Sequence, residues 1–181
     1  MLRHFSRFAG IILFVSVCLP CFSAPSNNDH NIKNYAVYFS PDGGCTDAIV
    51  ACLDKATNSV YVQAYSFTSA PIAKALVNAH KRGVKITVIL DKSQRTEKYS
   101  EADFLVNSGI PTWIDNKHAI AHNKIMIIDG RTVITGSFNF TKAAEEKNAE
   151  NLLVIHDRDL AQKYIENWKE HAKHSEEYQG K

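Results

Sequence analysis

His122-Asn123-Lys124-Ile125-Met126-Ile127-Ile128-Asp129-Gly130-Arg131-Thr132-Val133-Ile134-Thr135-Gly136-Ser137-Phe138-Asn139 contains two apolar, β-branched runs joined through an Asp-Gly pair. Such a pair between such runs is a hairpin signal, because both residues tolerate the positive φ of a tight turn. Alternate residues of a strand share a face. His122 and Lys124 therefore project together, and Ser137 and Asn139 do the same if the second strand stays extended that far. The four groups are an imidazole, an ammonium, a hydroxyl and an amide. They combine a nucleophile or proton carrier with donors suited to phosphate oxygens. Asp129 lies an odd number of positions from His122 and Lys124, which turns it away from them. It reads as a turn and orienting residue.

Outward from the hairpin, strands and helices alternate. Strands are expected at 35–40, 59–66, 84–90, 110–114 and 151–156, and helices at 46–56, 69–82, 101–107 and 159–173. Ser69 caps the second helix, Pro71 sits in its first turn and Gly83 stops it. The last helix is amphipathic through Leu160, Tyr164, Ile165 and Trp168. Alternation followed by a run of strands implies a layered α/β domain, a mixed β-sheet with helices on both faces. There is no internal repeat.

The first 23 residues read as a secretory signal peptide. Arg3 and Arg7 precede an apolar stretch from Phe8 to Phe22, and Cys21 and Ser23 supply residues at the −3 and −1 positions for cleavage after Ser23. The protein is then periplasmic or secreted, with no stable membrane association after removal of the signal. A retained N-terminal anchor is the alternative. Residues 24–34 form a loose polar arm, and 35–181 a single domain.

Removing residues 1–23 from 181 leaves 158, enough for one real core. Arg3 and Arg7 are the segment's only basic residues, and it has no acidic ones, so the remainder is formally neutral, with 19 of each sign. Attraction to any polyanion must then come from a local patch rather than a global field. Candidates are Lys92, Arg95 and Lys98, with Lys117 and His118 just ahead of the hairpin.

Export leaves two cysteines, Cys45 and Cys52, and an exported pair is usually bridged. Within one regular helix they would be about 10 Å apart, too far for a disulfide. With Thr46 as N-cap and Cys45 folded back from the loop, a bridge becomes possible. Both readings stand at this point.

Metal use is disfavoured. Two-metal sites for phosphate chemistry need clustered carboxylates, whereas Asp129 is alone in the hairpin, and Asp115 and Glu150 lie in separate segments. His171 and His174 are three apart without an adjacent Cys or third ligand, and read as a solvated helix end. No cofactor is expected.

The spacing H-x-K-x4-D-x6-G-S-x-N fixes six positions over eighteen residues and resembles the HKD motif of the phospholipase D superfamily. The chain from Tyr35 onward is similar to the single-motif, Nuc-type bacterial endonucleases, also at Gln63-Ala64-Tyr65-Ser66-Phe67-Thr68, Gly83-Val84-Lys85-Ile86 and Ala149-Glu150-Asn151. That family pairs its motifs, and here there is one. The resemblance therefore implies a homodimer with one composite active site and metal-independent phosphodiester cleavage of DNA or RNA with low sequence preference. It also implies roles. His122 is the nucleophile and His122 of the partner subunit the acid and base. Lys124 and Asn139 bind the non-bridging oxygens, Ser137 and Gly136 support them, and Glu150 accepts from the second nitrogen of His122. Two-motif relatives include phospholipases D and cardiolipin synthases, so a lipid phosphodiesterase or phosphatidyltransferase is the alternative activity. A catalytically silent nucleic-acid-binding dimer is a third reading, which an intact His122, Lys124, Ser137 and Asn139 argue against.

Overall fold

The computed structural model describes residues 34–181, so the expected signal peptide and most of the polar arm lie outside the described residues. One eight-stranded mixed sheet organises the rest, in the order β1-β7-β6-β5-β2-β3-β4-β8. The strands are β1 (Tyr35–Ser40), β2 (Ser59–Ala64), β3 (Lys85–Asp91), β4 (Thr112–Asp115), β5 (Lys124–Ile128), β6 (Thr132–Gly136), β7 (Glu150–His156) and β8 (Glu176–Glu177). The helices are α1 (Cys45–Asp54), α2 (Ala70–Lys81), α3 (Ala102–Asn107), α4 (Lys142–Glu146) and α5 (Arg158–Ala172). β2, β3 and β4 run parallel, connected through α2 and α3, and the remaining pairs are antiparallel.

Both faces are covered, which explains the uninterrupted apolar runs. On one face α1 and α2 bury Ile49, Leu53, Ile72 and Leu76 against Val60, Val62, Val88, Leu90, Met126 and Ile134. On the other, α5 lays Ala161, Ile165 and Trp168 over Ile89, Ile125, Ile127 and Val133. The Trp168 indole N–H donates to the Val62 carbonyl at 2.8 Å, so the large ring is buried without an orphan donor.

The hairpin forms as its sequence demands. Asp129 and Gly130 have φ of 53° and 61°, and Ile128 faces Thr132 across the turn. The Asp129 carboxylate accepts from the backbone N–H of Thr57, Asn58 and Ser59 and from the Thr57 hydroxyl. It thereby ties the turn to the start of β2. Burial pushes its pKa up, but these four donors win and hold it below the usual carboxylate value.

Two expectations are corrected around α1. The helix begins at Cys45, one residue before Thr46, because Gly44 takes the N-cap position at φ 77° and the Glu145 carboxylate accepts from the N–H groups of Gly44 and Thr46. Cys45 and Cys52 therefore sit seven positions apart on one helix, and both are free thiols rather than a disulfide. Burial and the nearby Glu145 push the Cys45 thiol up to about 11, which makes it inert. The short elements α4 and β8 carry no periodicity to betray them.

Candidate active site

β5 and β7 are separated in the sheet only by β6, which brings the entrance of each to the end of the hairpin. His122, Lys124, Gly136, Ser137, Asn139 and Glu150 line one shallow depression of about 340 Å³ there. Neither His122 nor Ser137 and Asn139 lies within a strand. His122 is in the extended approach to β5, and the other two follow β6.

Lys124 is the buried member, at 6% exposure, and its ammonium donates to the His122 carbonyl at 2.7 Å. Burial lowers its pKa, against which Glu150 acts to keep the ammonium charged. The exposed His122 ring rests against Tyr65, with ring centroids 4.6 Å apart, and the Lys124 ammonium lies 5.2 Å from the Tyr65 ring centroid. Tyr65 is thus a platform for both groups. The sequence shows Tyr65 one residue past the expected alternation of β2 but gives no sign that it meets the hairpin.

The far side of the depression is built by close backbone approach. Gly136 has φ 146°, and a Cβ there would come within 2.3 Å of the Asn151 carbonyl oxygen. Ser137 N–H donates to Asn151 Oδ1 at 2.8 Å, and Asn151 N–H donates back to Ser137 Oγ at 3.0 Å. This reciprocal pair fixes Ser137, which leaves Asn139 to face the depression. The Oδ1 of Asn139 is buried without a partner among the described residues.

Glu150 lines the depression as expected, but not as the partner of His122. Its carboxylate accepts from Asn148 Nδ2 at 3.2 Å, and no hydrogen bond joins it to the His122 ring within the described protomer. Its reach is toward Lys124, through charge.

The basic candidates separate. Lys92 donates to the His118 carbonyl at 3.1 Å, and Lys117 is exposed. Arg95 is paired with Glu176 at 2.8 Å and lies 5.9 Å from the centroid of Tyr178, so its charge is already answered. Lys98 is 5.2 Å from the Tyr99 ring centroid.

A larger correction concerns the histidines of the last helix. His171 and His174 are not a solvated helix end, and a third ligand is present. Their side chains, with His118, converge on the fully buried carboxylate of Asp115. Burial pushes Asp115 up, but hydrogen bonds from His171, His118 and His174 outweigh it and hold the carboxyl far below the usual range. The contact was hidden because Asp115 and His171 are 56 residues apart in sequence.

An imidazole, an ammonium and an amide line one open depression, a set of groups suited to a phosphodiester. Comparison with known proteins agrees. A family model described as cardiolipin synthase, PLD-like domain, matches residues 49–172. The chain belongs to the phospholipase D superfamily, and it is a phosphodiesterase of that superfamily. A protein named phospholipase D from Rickettsia felis is 45% identical over 151 residues, spanning 81% of this chain and 76% of that one. The crystal structure of Nuc from Salmonella typhimurium, described as a phospholipase D family member, superimposes with a TM-score of 0.78. It is 41% identical and covers 81% of this chain and 99% of its own. NucT from Helicobacter pylori, at 24% identity, a TM-score of 0.75 and coverage of 80% and 99%, shares the fold.

Proposed function

We propose that this protein is an exported, non-specific endonuclease that hydrolyses DNA, and RNA where it meets it, through a covalent phosphohistidine. The observation that carries this reading is the single exposed imidazole, His122, in a depression that also holds Lys124 and Asn139. In-line displacement needs a nucleophile on one side of phosphorus and an acid on the other, and one ring cannot serve both. A second copy of the chain supplies the other. A nitrogen of His122 attacks phosphorus and forms the P–N bond. The P–O bond to the leaving group breaks, and His122 of the partner subunit gives that oxygen its proton. The same imidazole then takes a proton from water, whose oxygen attacks phosphorus and breaks the P–N bond. Lys124 and Asn139 of both copies hold the non-bridging oxygens, where loss of one such donor costs roughly 10²–10³ in rate.

Chemistry at the phosphate needs no metal in this scheme, since cationic and amide donors do the work of a metal cradle and Glu150 is the sole carboxylate lining the depression. The resemblance to Nuc-type endonucleases supports nucleic acid as substrate. A lipid phosphodiester is the second reading, favoured by the name of the Rickettsia felis relative. No helix among the described residues is long and apolar enough to cross a membrane.

Digestion of plasmid DNA and of labelled phosphatidylcholine, side by side in excess EDTA, separates the readings. Nicked and then linear plasmid with intact lipid is expected. Lipid cleavage without plasmid nicking would reverse the assignment, and activity abolished by EDTA and restored by magnesium would remove the histidine mechanism. Export is checked by N-terminal sequencing of protein from the periplasmic fraction, with Ala24 expected first.

A further inference from the structure

The end of β4 and the end of α5 meet at a cluster that shares no residue with the phosphodiester site. Asp115 closes β4, His118 follows it, His171 lies in the last turn of α5 and His174 just beyond. His118 Nδ1 is 2.9 Å, His171 Nδ1 2.8 Å and His174 Nε2 3.4 Å from the same oxygen, Asp115 Oδ2. The three ring centroids lie 4.9, 5.2 and 5.5 Å apart.

We propose that Asp115, His118, His171 and His174 form a site for one divalent transition-metal ion of the zinc class, with a structural role separate from the chemistry at His122. The donor set is the first reason. Three imidazoles and a carboxylate form a closed four-ligand shell, the arrangement of structural sites, and imidazole with carboxylate oxygen suits zinc over magnesium or calcium. The spacing is the second. Asp-x2-His at the end of a strand and His-x2-His at the end of a helix are two short ligand pairs, each on a firm element.

Geometry is the third reason. A tetrahedral ion with bonds of about 2.0–2.1 Å has ligand-to-ligand edges of about 3.3 Å. One donor atom from each of the four residues lies within 4.8 Å of the other three, and the shortest nitrogen-to-oxygen separations bracket that edge. Small side-chain adjustments would admit the ion.

Charge is the fourth. Asp115 is fully buried, and three rings compete for one of its oxygens. If all three rings were protonated, three positive charges would crowd within 5.5 Å. If all were neutral, a buried carboxylate would rest on dipoles alone. A divalent ion satisfies the carboxylate and the three lone pairs together. The other oxygen, Oδ1, already accepts from the backbone N–H groups of Lys117 and His118 at 3.2 and 3.4 Å, the outer support that orients a ligating carboxylate.

The ion would join the C-terminal helix to the segment 116–121 that leads into His122. Lys92 and Asp91 hold the same segment, the latter accepting from Ala121 N–H at 2.7 Å. Metal binding would thus brace the approach to the reactive imidazole without touching substrate.

The test uses the exported chain without a histidine tag, stripped with EDTA and freed of chelator. Titration with cobalt(II) is expected to give the visible d–d bands of a tetrahedral complex, saturating at one equivalent and displaced by zinc. Zinc at about 100-fold over its Kd should raise the thermal midpoint by about 5–10 °C. His171→Ala and His174→Gln should lose both the bands and the zinc-dependent rise. If His171→Ala fails to fold, His174→Gln, at a more exposed ligand, decides the matter. The site is overturned if wild type shows neither bands nor a rise with zinc, its midpoint tracking histidine protonation alone. Bands unchanged in both variants overturn it too, since the metal then sits elsewhere. Neither readout involves phosphodiester cleavage, so this proposal stands or falls apart from the nuclease reading.

Discussion

The Lys124 ammonium donates to the backbone carbonyl of His122, two residues earlier, at 2.7 Å. The bond folds the lysine back along its own strand, so that the cation and the imidazole share the Tyr65 ring as a floor. The pair is therefore set before any substrate arrives. Its weak point is the lysine's charge, which burial opposes and Glu150 supports.

Glu150→Gln removes that support. The folded pKa of Lys124 is already lowered by burial, and loss of the neighbouring carboxylate lowers it further. Lys124 then sheds its proton at lower pH, and the alkaline limb of the kcat profile should move toward acid. The loss of turnover should therefore grow as pH rises above neutrality, with little change in thermal midpoint. Glu150→Asp should recover part of it. An alkaline limb identical to wild type would mean that Glu150 does not act on Lys124.

Asp129→Asn should act on stability. Asparagine accepts φ 53°, but its amide cannot take all four donors that the carboxylate holds. A loss of about 1–3 kcal/mol is expected at pH 7, with a modest loss of rate. Because the folded pKa of Asp129 is depressed, its contribution is complete above the ordinary value of about 3.9 and fades as pH falls through the folded value. Melting curves of both proteins from pH 7 to pH 3 should therefore converge at the acid end. A collapse of catalysis with unchanged melting would assign Asp129 a chemical role instead.

His122→Ala should be folded and nearly inactive. Mixed with wild type and allowed to exchange subunits, it tests whether the site is shared. Independent sites leave half the activity in a mixed dimer, whereas a composite site leaves very little. A monomer at micromolar concentration with full specific activity would end the composite-site proposal.

Gly136→Ala should damage both fold and rate. The added Cβ meets the Asn151 carbonyl at 2.3 Å, in backbone that alanine rarely adopts. A loss of about 2 kcal/mol or more is expected. Because the displaced segment carries Ser137 and Asn139, kcat should also fall under conditions where the variant remains folded. Wild-type melting and turnover would show that β6 can yield here at no cost.

How much of this was legible in the residues follows from distance along the chain. The hairpin is local, so Asp129-Gly130 and the β-branched runs announced it, and five of the six motif positions converge because β5 and β6 are adjacent, while Asp129 stays at the turn. The layered architecture followed from strand-helix alternation. The start of α1 was misjudged because the group that caps it, Glu145, lies about 100 residues away. Glu150 was assigned to His122 by resemblance, whereas in the described protomer its carboxylate meets Asn148. The histidine cluster was read as two isolated residues because its other members, Asp115 and His118, stand at the end of β4, far from α5 in sequence. Periodicity reports which face a side chain takes, not which distant element arrives to meet it.

β1 begins the described chain but pairs with β7, joining residues 110 to 120 positions apart, such as Ser40 with Glu150 and Tyr35 with Ile155. Loop closure over that span is slow compared with the β5–β6 hairpin, which needs only a three-residue turn. The first of the described strands is therefore among the last to find its place. Until residue 156 is available, Tyr35, Val37 and Phe39 belong to no sheet. In a nascent chain of this protein the outermost pairing of the sheet, β1 with β7, thus waits for the last long strand, while β2, β3, β5 and β6 have partners already made.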